Sequence, residues 1–215
     1  MHDHDRLDWI YSAQSAEELQ ARYDLWSADY DREMDGMAWS APAAAAQRCL
    51  AYAGRTANVL DAGCGTGQVG VALKRAGVAR VVGVDFSPGM LQKATATGAY
   101  DELVQASLTE ALPLRPASFD AVVSVGVFTY GHVPASALAA LGPLLRDGGV
   151  VALTFRDDVY RDLGFSAAIE HLERHAGWSL LERGEPAPMV IEGGEGVDMR
   201  VWVWRVARKP GAVCG

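Results

Sequence analysis

The chain has 215 residues, of which 50% are hydrophobic and 21% are charged, and its formal net charge is -8. This composition indicates a folded globular protein, and the acidic balance without a basic run disfavours a nucleic-acid partner. No apolar stretch approaches the roughly 20 residues that span a bilayer, and the acidic first residues lack the order of a signal peptide. We therefore expect a cytoplasmic protein, folded as a single domain over residues 1–215, that contacts neither nucleic acid nor a membrane.

The first 54 residues predict helices. The sequence SAEE at residues 15–18 has the form of a capping box, which starts a helix. A second helix over residues 41–53 ends near Gly54, and we expect residues 1–54 to form a helical lid. From the capping box onward, aromatic and apolar side chains recur at three- and four-residue steps, which places them on one helix face: Leu19, Tyr23, Trp26, Tyr30 and Met34.

Strands and helices alternate in the middle of the chain. The pair Ser87-Pro88 predicts a helix start, and a further helix is expected after Pro134. Such alternation is typical of a parallel sheet wound by right-handed crossovers, and we place this core within residues 55–156. The predicted strands lie near residues 58–62, 80–85, 119–125 and 149–155.

The pattern changes after residue 156. One helix is expected near residues 164–175, followed by apolar runs at residues 178–182 and 199–207. Two such runs joined by a Gly- and Pro-rich connection predict an antiparallel pair at the sheet edge. Residues 157–215 are therefore expected to hold a C-terminal helix and this strand pair.

A glycine-rich turn follows the first predicted strand, at residues 59–67 with the sequence VLDAGCGTG. Its glycines allow positive φ and a close approach of the backbone to a ligand. Spacing alone leaves two cofactors open, because residues 65–70 also fit the Gly-x-Gly-x-x-Gly pattern of dinucleotide-binding proteins. Asp61 distinguishes the two cofactors, because a carboxylate beside the turn repels a pyrophosphate but accepts a hydrogen bond from an ammonium group. The turn therefore favours S-adenosylmethionine over a nicotinamide dinucleotide.

Asp85 ends the second predicted strand, where an acidic side chain can bind both hydroxyls of a ribose. Phe86 and Met90 follow it and are candidates to cover the adenine ring. Ordinary core packing explains these two residues equally well.

Four segments in order resemble the class I S-adenosylmethionine-dependent methyltransferases of the methyltransferase domain 11 or 25 type. They are residues 59–67, residues 82–91 (VGVDFSPGML), residues 112–123 and residues 144–149 (LLRDGG). A preceding segment, YDLWSADYD at residues 23–31, resembles the Williams-Beuren-region methyltransferase-like group. The resemblance implies an α/β fold: a three-layer, Rossmann-like sheet of seven strands whose last strand is antiparallel, with an N-terminal helical lid.

The resemblance also implies a cofactor site for S-adenosylmethionine, with S-adenosyl-L-homocysteine as product and no metal. Many relatives place an Asp after the third strand to accept from adenine, whereas this chain offers Ser107, whose hydroxyl can accept one hydrogen bond. The cofactor residues predicted are Tyr23, Asp61, Gly63, Cys64, Gly65, Gly67, Asp85, Phe86, Met90, Ser107, Leu108 and Val125.

Methyl transfer from a sulfonium is a direct displacement, so the enzyme mainly positions the reactants and excludes water. His132, just past the fourth strand, is the candidate general base, with Tyr30 as a second catalytic candidate. A His that merely caps the next helix, and tyrosines that merely pack, are equally open. Acceptor contacts are predicted for Tyr130, Arg156 and Arg200, although solvated arginines are the alternative.

The expected activity is methylation of a small molecule, with an oxygen as the candidate atom. Two other functions remain open from the residues: a nicotinamide-dependent oxidoreductase and a non-catalytic module that binds S-adenosylmethionine. The acceptor and the oligomeric state do not follow from the sequence.

Overall fold

A computed structural model describes residues 3–36, 40–189 and 197–207. Its α-helices are α1 (Asp3–Tyr11), α2 (Ala16–Trp26), α3 (Tyr30–Gly36), α4 (Ala41–Ala53), α5 (Gln68–Arg75), α6 (Pro88–Thr97), α7 (Asp157–Asp162) and α8 (Phe165–His175). Its strands are β1 (Asn58–Ala62), β2 (Arg80–Asp85), β3 (Glu102–Gln105), β4 (Phe119–Ser124), β5 (Leu145–Arg156), β6 (Trp178–Arg183), β7 (Ala187–Met189) and β8 (Val197–Val206). Among these residues, no helix is long and apolar enough to cross a membrane.

The strands form one mixed sheet in the order β3-β2-β1-β4-β5-β8-β6, and the short β7 also pairs with β8. Strands β1 to β5 are parallel, whereas β8 runs antiparallel between β5 and β6. This confirms the predicted Rossmann-like sheet with an antiparallel last strand. Because β1 lies between β2 and β4, the order reverses at β1, and the carboxyl ends of these strands form the crevice where such sheets bind ligands.

In the core and at the sheet edge, three details differ from the sequence prediction. The segment after Pro134 forms a short 3-10 helix, Ala135–Ala140, in place of an α-helix. Strand β5 begins at Leu145, four residues earlier than expected. Helix α7 and strand β7 were not predicted, because each is too short for its periodicity to be recognised.

The periodicity of residues 19–34 predicted one continuous helix, and this is wrong, since the helix breaks into α2 and α3 at residues 27–29. Ser27 Oγ donates to the carbonyl oxygen of Asp24 over 2.7 Å, and the Asp29 amide donates to the Trp26 carbonyl over 2.9 Å. Such local bonds offer the backbone an alternative to a continuing helix. The aromatic face nevertheless stays together across the break, because the Trp26 and Tyr30 rings lie 4.7 Å apart.

Two aspartates dock the lid on the core. Asp24 Oδ1 accepts from Ser87 Oγ over 2.5 Å and from the Gly89 amide over 2.9 Å. Asp31 Oδ1 accepts from Thr66 Oγ1 over 2.6 Å and from Gln68 Nε2 over 2.9 Å. The lid is therefore held at the start of α6 and at the glycine-rich turn, on either side of the crevice.

Replacement of Gly89 by Ala tests the docking of the lid. A Cβ atom at this position would lie 3.0 Å from Asp24 Cα and 2.9 Å from Ser27 Oγ. Because Ala is the better helix former, α6 itself is not weakened, and the cost falls on the contact with α2. We expect limited proteolysis between α1 and α2 to become roughly fivefold faster, as local opening becomes easier. The exposed Gln92→Ala on the same helix is the control, and equal cleavage rates in the two variants would refute this docking.

Candidate active site

A cavity of about 330 Å³ lies between the lid and the carboxyl ends of β1, β2 and β4. It collects most of the residues predicted from the sequence, namely Tyr23, Tyr30, Gly63, Gly65, Asp85, Phe86, Met90, Ser107, Leu108, Val125 and His132. Outside its wall lie Asp61, Cys64, Gly67, Tyr130, Arg156 and Arg200. Sequence reasoning missed several apolar wall residues, including Leu19, Val127 and Val133, since nothing in their local pattern separates them from core.

The glycine-rich turn exposes backbone to this cavity. Gly63 and Gly65 have φ values of 77° and 51°, in the left-handed region that favours glycine. A Cβ atom at Gly63 would lie 2.3 Å from Val127 Cγ2, so a side chain there would collide with the opposite wall. Glycine is therefore required at Gly63 by its φ and by the Val127 side chain, and at Gly65 by its φ alone, since a Cβ atom there would meet no atom within 4 Å.

Asp85 ties the turn to the start of α6. Its Oδ2 accepts from the Gly65 amide over 2.8 Å, and its Oδ1 accepts from the Ser87 amide over 3.0 Å. Burial raises the pKa of this carboxyl, whereas the amide donors oppose that rise. Asp85 also lines the cavity, so the carboxylate that shapes the turn is available to a ligand hydroxyl.

Asp61 is fully buried behind the turn. Its Oδ2 accepts from the Tyr100 hydroxyl over 2.6 Å, whereas its Oδ1 has no hydrogen-bond partner among the described residues. Burial raises the pKa of this carboxyl to about 7. A buried acceptor without a donor is costly, and an ammonium group is a donor that fits it, directly or through water. This site thus fits the methionyl end of S-adenosylmethionine.

The remaining cofactor candidates form the apolar side of the cavity. Met90 and Leu108 are buried, and Phe86 packs edge-on against Tyr23 with ring centroids 5.8 Å apart. The Ser107 hydroxyl is hydrogen-bonded to Thr109 Oγ1 over 2.7 Å. Two candidates lie outside the cavity wall: Cys64 is buried, with a pKa raised by burial, and a Cβ atom at Gly67 would lie 3.1 Å from Cε2 of Tyr100.

His132 and Tyr23 meet inside the cavity. His132 Nδ1 lies 2.6 Å from the carbonyl oxygen of Tyr130, which can only accept, so Nδ1 carries the proton. The other ring nitrogen, Nε2, is then an acceptor, and it lies 2.5 Å from the Tyr23 hydroxyl. Burial lowers the pKa of His132, so the neutral ring is favoured. This arrangement gives a neutral base whose acceptor nitrogen is hydrogen-bonded to the Tyr23 hydroxyl.

Tyr30 and Tyr11 surround this pair. Tyr30 lines the cavity, and burial raises its pKa, so it is a neutral hydroxyl. Tyr11, from α1, packs edge-on against His132 with ring centroids 5.6 Å apart. Tyr11 was not predicted, because the pattern of α1 gives no signal of a ligand site.

Both candidate arginines bind aspartates. Arg156 donates to both carboxylate oxygens of Asp158, over 2.7 and 3.1 Å, and lies over the ring of Tyr130. Arg200 binds Asp157 through Nε and Nη2 over 2.8 to 3.0 Å. The guanidinium groups are thus already paired with carboxylates, and neither lines the cavity.

The substitution Asp61→Asn is expected to stabilise the folded protein, most strongly above pH 7. The pKa of about 7 in the folded chain exceeds the unfolded value of about 3.9. The folded state therefore holds this proton more tightly, and stability from this group falls as the pH rises from about 4 to 7. The neutral amide removes that loss, so urea unfolding should show a gain on the order of 2 kcal/mol at pH 8 that shrinks towards pH 5.

Asp101 supplies a control of opposite sign. Its pKa is lowered by Lys74 and by the Val81 amide, so Asp101→Asn should destabilise the protein at pH 8. An equal gain for Asp61→Asn at both pH values would contradict the buried, unpaired charge.

The methyltransferase domain family matches residues 60–153 of the chain. Human methyltransferase-like protein 27 is 37% identical over 168 residues, which are 74% of this chain and 67% of that protein. A malonyl-[acyl-carrier protein] O-methyltransferase of Pseudescherichia vulneris is 40% identical over 100 residues, which are 46% of this chain and 39% of that enzyme.

Solved structures show the same fold. A methyltransferase of Haloferax volcanii, in complex with the Trm112 methyltransferase activator, matches with a TM-score of 0.66 at 22% identity, over 87% of this chain and 98% of that chain. The family matches decide against the oxidoreductase alternative and confirm the resemblance of the motifs. The chain belongs to the class I S-adenosylmethionine-dependent methyltransferases and is an enzyme of that class.

Proposed function

We propose that this methyltransferase transfers a methyl group to a hydroxyl oxygen of a small, uncharged molecule, with His132 as general base. The observation that carries the proposal is the pair of His132 and Tyr23. A neutral imidazole whose acceptor nitrogen faces a hydroxyl inside the cavity has the arrangement that deprotonates an alcohol or a phenol.

The chain's own residues divide the work. Gly63, Gly65 and Asp85 would hold the cofactor against the sheet, with Asp61 behind them. Bound S-adenosylmethionine supplies an activated methyl group, so no side chain has to activate the leaving group. The docked lid excludes water, and Tyr23 and Tyr30 close the cavity beside His132. The Tyr23 hydroxyl gives its proton to His132 Nε2 and takes the proton that the acceptor hydroxyl loses.

The charged residues in and around the cavity favour an uncharged acceptor. Among the described residues that line the cavity there is no lysine or arginine, and Asp85 contributes a carboxylate. An anionic acceptor would therefore lack a counter-ion, whereas the paired Arg156 and Arg200 lie outside the wall. On the same grounds of charge we propose that nucleic acid is not the acceptor.

We further propose that residues 1–215 act as one cytoplasmic methyltransferase domain. In this proposal residues 1–54 form the lid, residues 55–156 the cofactor-binding core and residues 157–215 the helix and strands of the sheet edge. Two observations support it: the lid aspartates join the first part to the second, and the single sheet joins the second part to the third.

The substitution His132→Gln tests the base. With methyl-labelled cofactor and a cell extract that contains both small molecules and RNA, we expect the rate of label transfer to fall about 10²- to 10⁴-fold, while affinity for S-adenosylhomocysteine stays unchanged. Because the pKa of His132 is lowered, the unmodified enzyme at saturating cofactor should lose activity only below pH 6.5 and stay constant from pH 7 to 8. The exposed His171→Gln on α8 is the control. Full activity of His132→Gln, or label found in RNA instead of small molecules, would overturn the proposal.

The substitution Asp85→Asn tests the cofactor site. Loss of a charge-assisted hydrogen bond, on the order of 1.5 to 3 kcal/mol, predicts roughly 10- to 100-fold weaker binding of S-adenosylhomocysteine in calorimetry. Asp162→Asn, on the exposed side of α7, should bind as the unmodified chain does. Unchanged affinity of Asp85→Asn would place the ribose elsewhere.

A further inference from the structure

Tyr100 lies between α6 and β3, outside the cavity wall and outside every motif of the sequence. Its hydroxyl donates to Asp61 Oδ2 over 2.6 Å and accepts from the Gly70 amide over 3.1 Å. Gly70 belongs to the first turn of α5, and Asp61 lies near the carboxyl end of β1. One phenol thus connects the two elements between which the glycine-rich turn runs.

The ring of Tyr100 fills a space that three glycines leave open. A Cβ atom at Gly70 would lie 2.3 Å from Tyr100 Cζ, one at Gly83 would lie 2.9 Å from Cδ1, and one at Gly67 would lie 3.1 Å from Cε2. Side chains at Gly70 or Gly83 would therefore displace the ring. Gly67 and Gly70 belong to the pattern that suggested close approach to a ligand, yet in the fold they make room for a tyrosine. The hydroxyl consequently has a fixed position beside Asp61.

Several ionisable groups act on the Asp61 carboxyl. Asp85, from β2, raises the pKa of Asp61, and burial does so more strongly, whereas the Tyr100 hydroxyl lowers it. Cys64, in the turn, is coupled to Asp61 and is itself held as a neutral thiol by burial. Among these groups Tyr100 is the donor, and it occupies one carboxylate oxygen while the other stays without a partner.

We infer that Tyr100 is a positioning residue for cofactor binding. Its hydroxyl holds the Asp61 carboxylate in its charged form and fixes it against the first turn of α5. The second oxygen, buried behind the turn, has no donor among the described residues and accepts from the ammonium group of S-adenosylmethionine directly or through water. The inference rests on the cofactor site proposed above. It adds a role for a residue that contacts neither the cavity nor the reacting atoms.

Calorimetric titration of Tyr100→Phe with S-adenosylhomocysteine between pH 6.5 and 8.5 tests this role. Phe keeps the ring between the glycines and removes only the hydroxyl. Without the donor, a higher pH is needed to ionise Asp61. We expect affinity about tenfold below that of the unmodified chain at pH 6.5, and a defect that shrinks towards unity by pH 8.5, where the carboxyl is ionised in both proteins. A merely structural role would give the same defect at every pH.

Two further variants make the outcome decisive. Tyr52→Phe removes a phenol hydroxyl on α4, away from the cavity, and should not alter binding. If Tyr100 acts through Asp61, the double variant Tyr100→Phe with Asp61→Asn should bind no more weakly than Asp61→Asn alone. A defect independent of pH, additive effects in the double variant, or unchanged affinity would overturn the role of Tyr100. If the unmodified chain does not bind S-adenosylhomocysteine, the cofactor site fails first, and this inference fails with it.

Discussion

Two buried carboxylates near the carboxyl ends of adjacent parallel strands impose the constraint on which the rest of the site depends. A carboxylate inside a protein is costly unless donors surround it. Asp85 obtains the amides of Gly65 and Ser87, which forces the turn after β1 to fold back towards β2. Positive φ at Gly63 and Gly65 is what this path requires. Asp61 obtains a single phenol donor and keeps one oxygen for a cationic ligand.

The lid depends on the same kind of contact. Its segment repeats a Tyr-Asp pair seven residues apart, at residues 23–24 and 30–31. Each tyrosine lines the cavity, while each aspartate binds the core, one at the start of α6 and the other at the glycine-rich turn. The repeat therefore both lines the cavity, through its tyrosines, and attaches the lid to the core, through its aspartates. The elements that bind the cofactor also hold the cover that keeps water from the acceptor.

The sheet could be predicted because each strand carries its own signal. Val-rich runs such as β2 and β4 are buried on both faces, and the turn residues after them follow directly in the chain. Asp61 and the glycines belong to β1 and the turn after it, and Asp85 ends β2. Because β1 and β2 are parallel neighbours, these residues lie close together at one edge of the sheet.

What the sequence did not predict depends on contacts between distant segments. The partners of Arg156 and Arg200 lie in α7, which was not predicted, so the arginines were assigned to an acceptor. Tyr100 carries no motif, and the glycines that admit its ring have the spacing of a ligand-binding loop. The break between α2 and α3 arises from local bonds of Ser27 and Asp29, which compete with a helix that the aromatic periodicity favours.

The most direct test of the account compares S-adenosylhomocysteine with NADH as ligands of the unmodified chain in calorimetry. The Asp61 carboxylate lies directly behind the glycine-rich turn, which approaches its ligand closely. It therefore favours an ammonium group and repels a pyrophosphate. We predict saturable binding of one S-adenosylhomocysteine per chain and no binding of NADH. Binding of NADH without binding of S-adenosylhomocysteine would contradict the account.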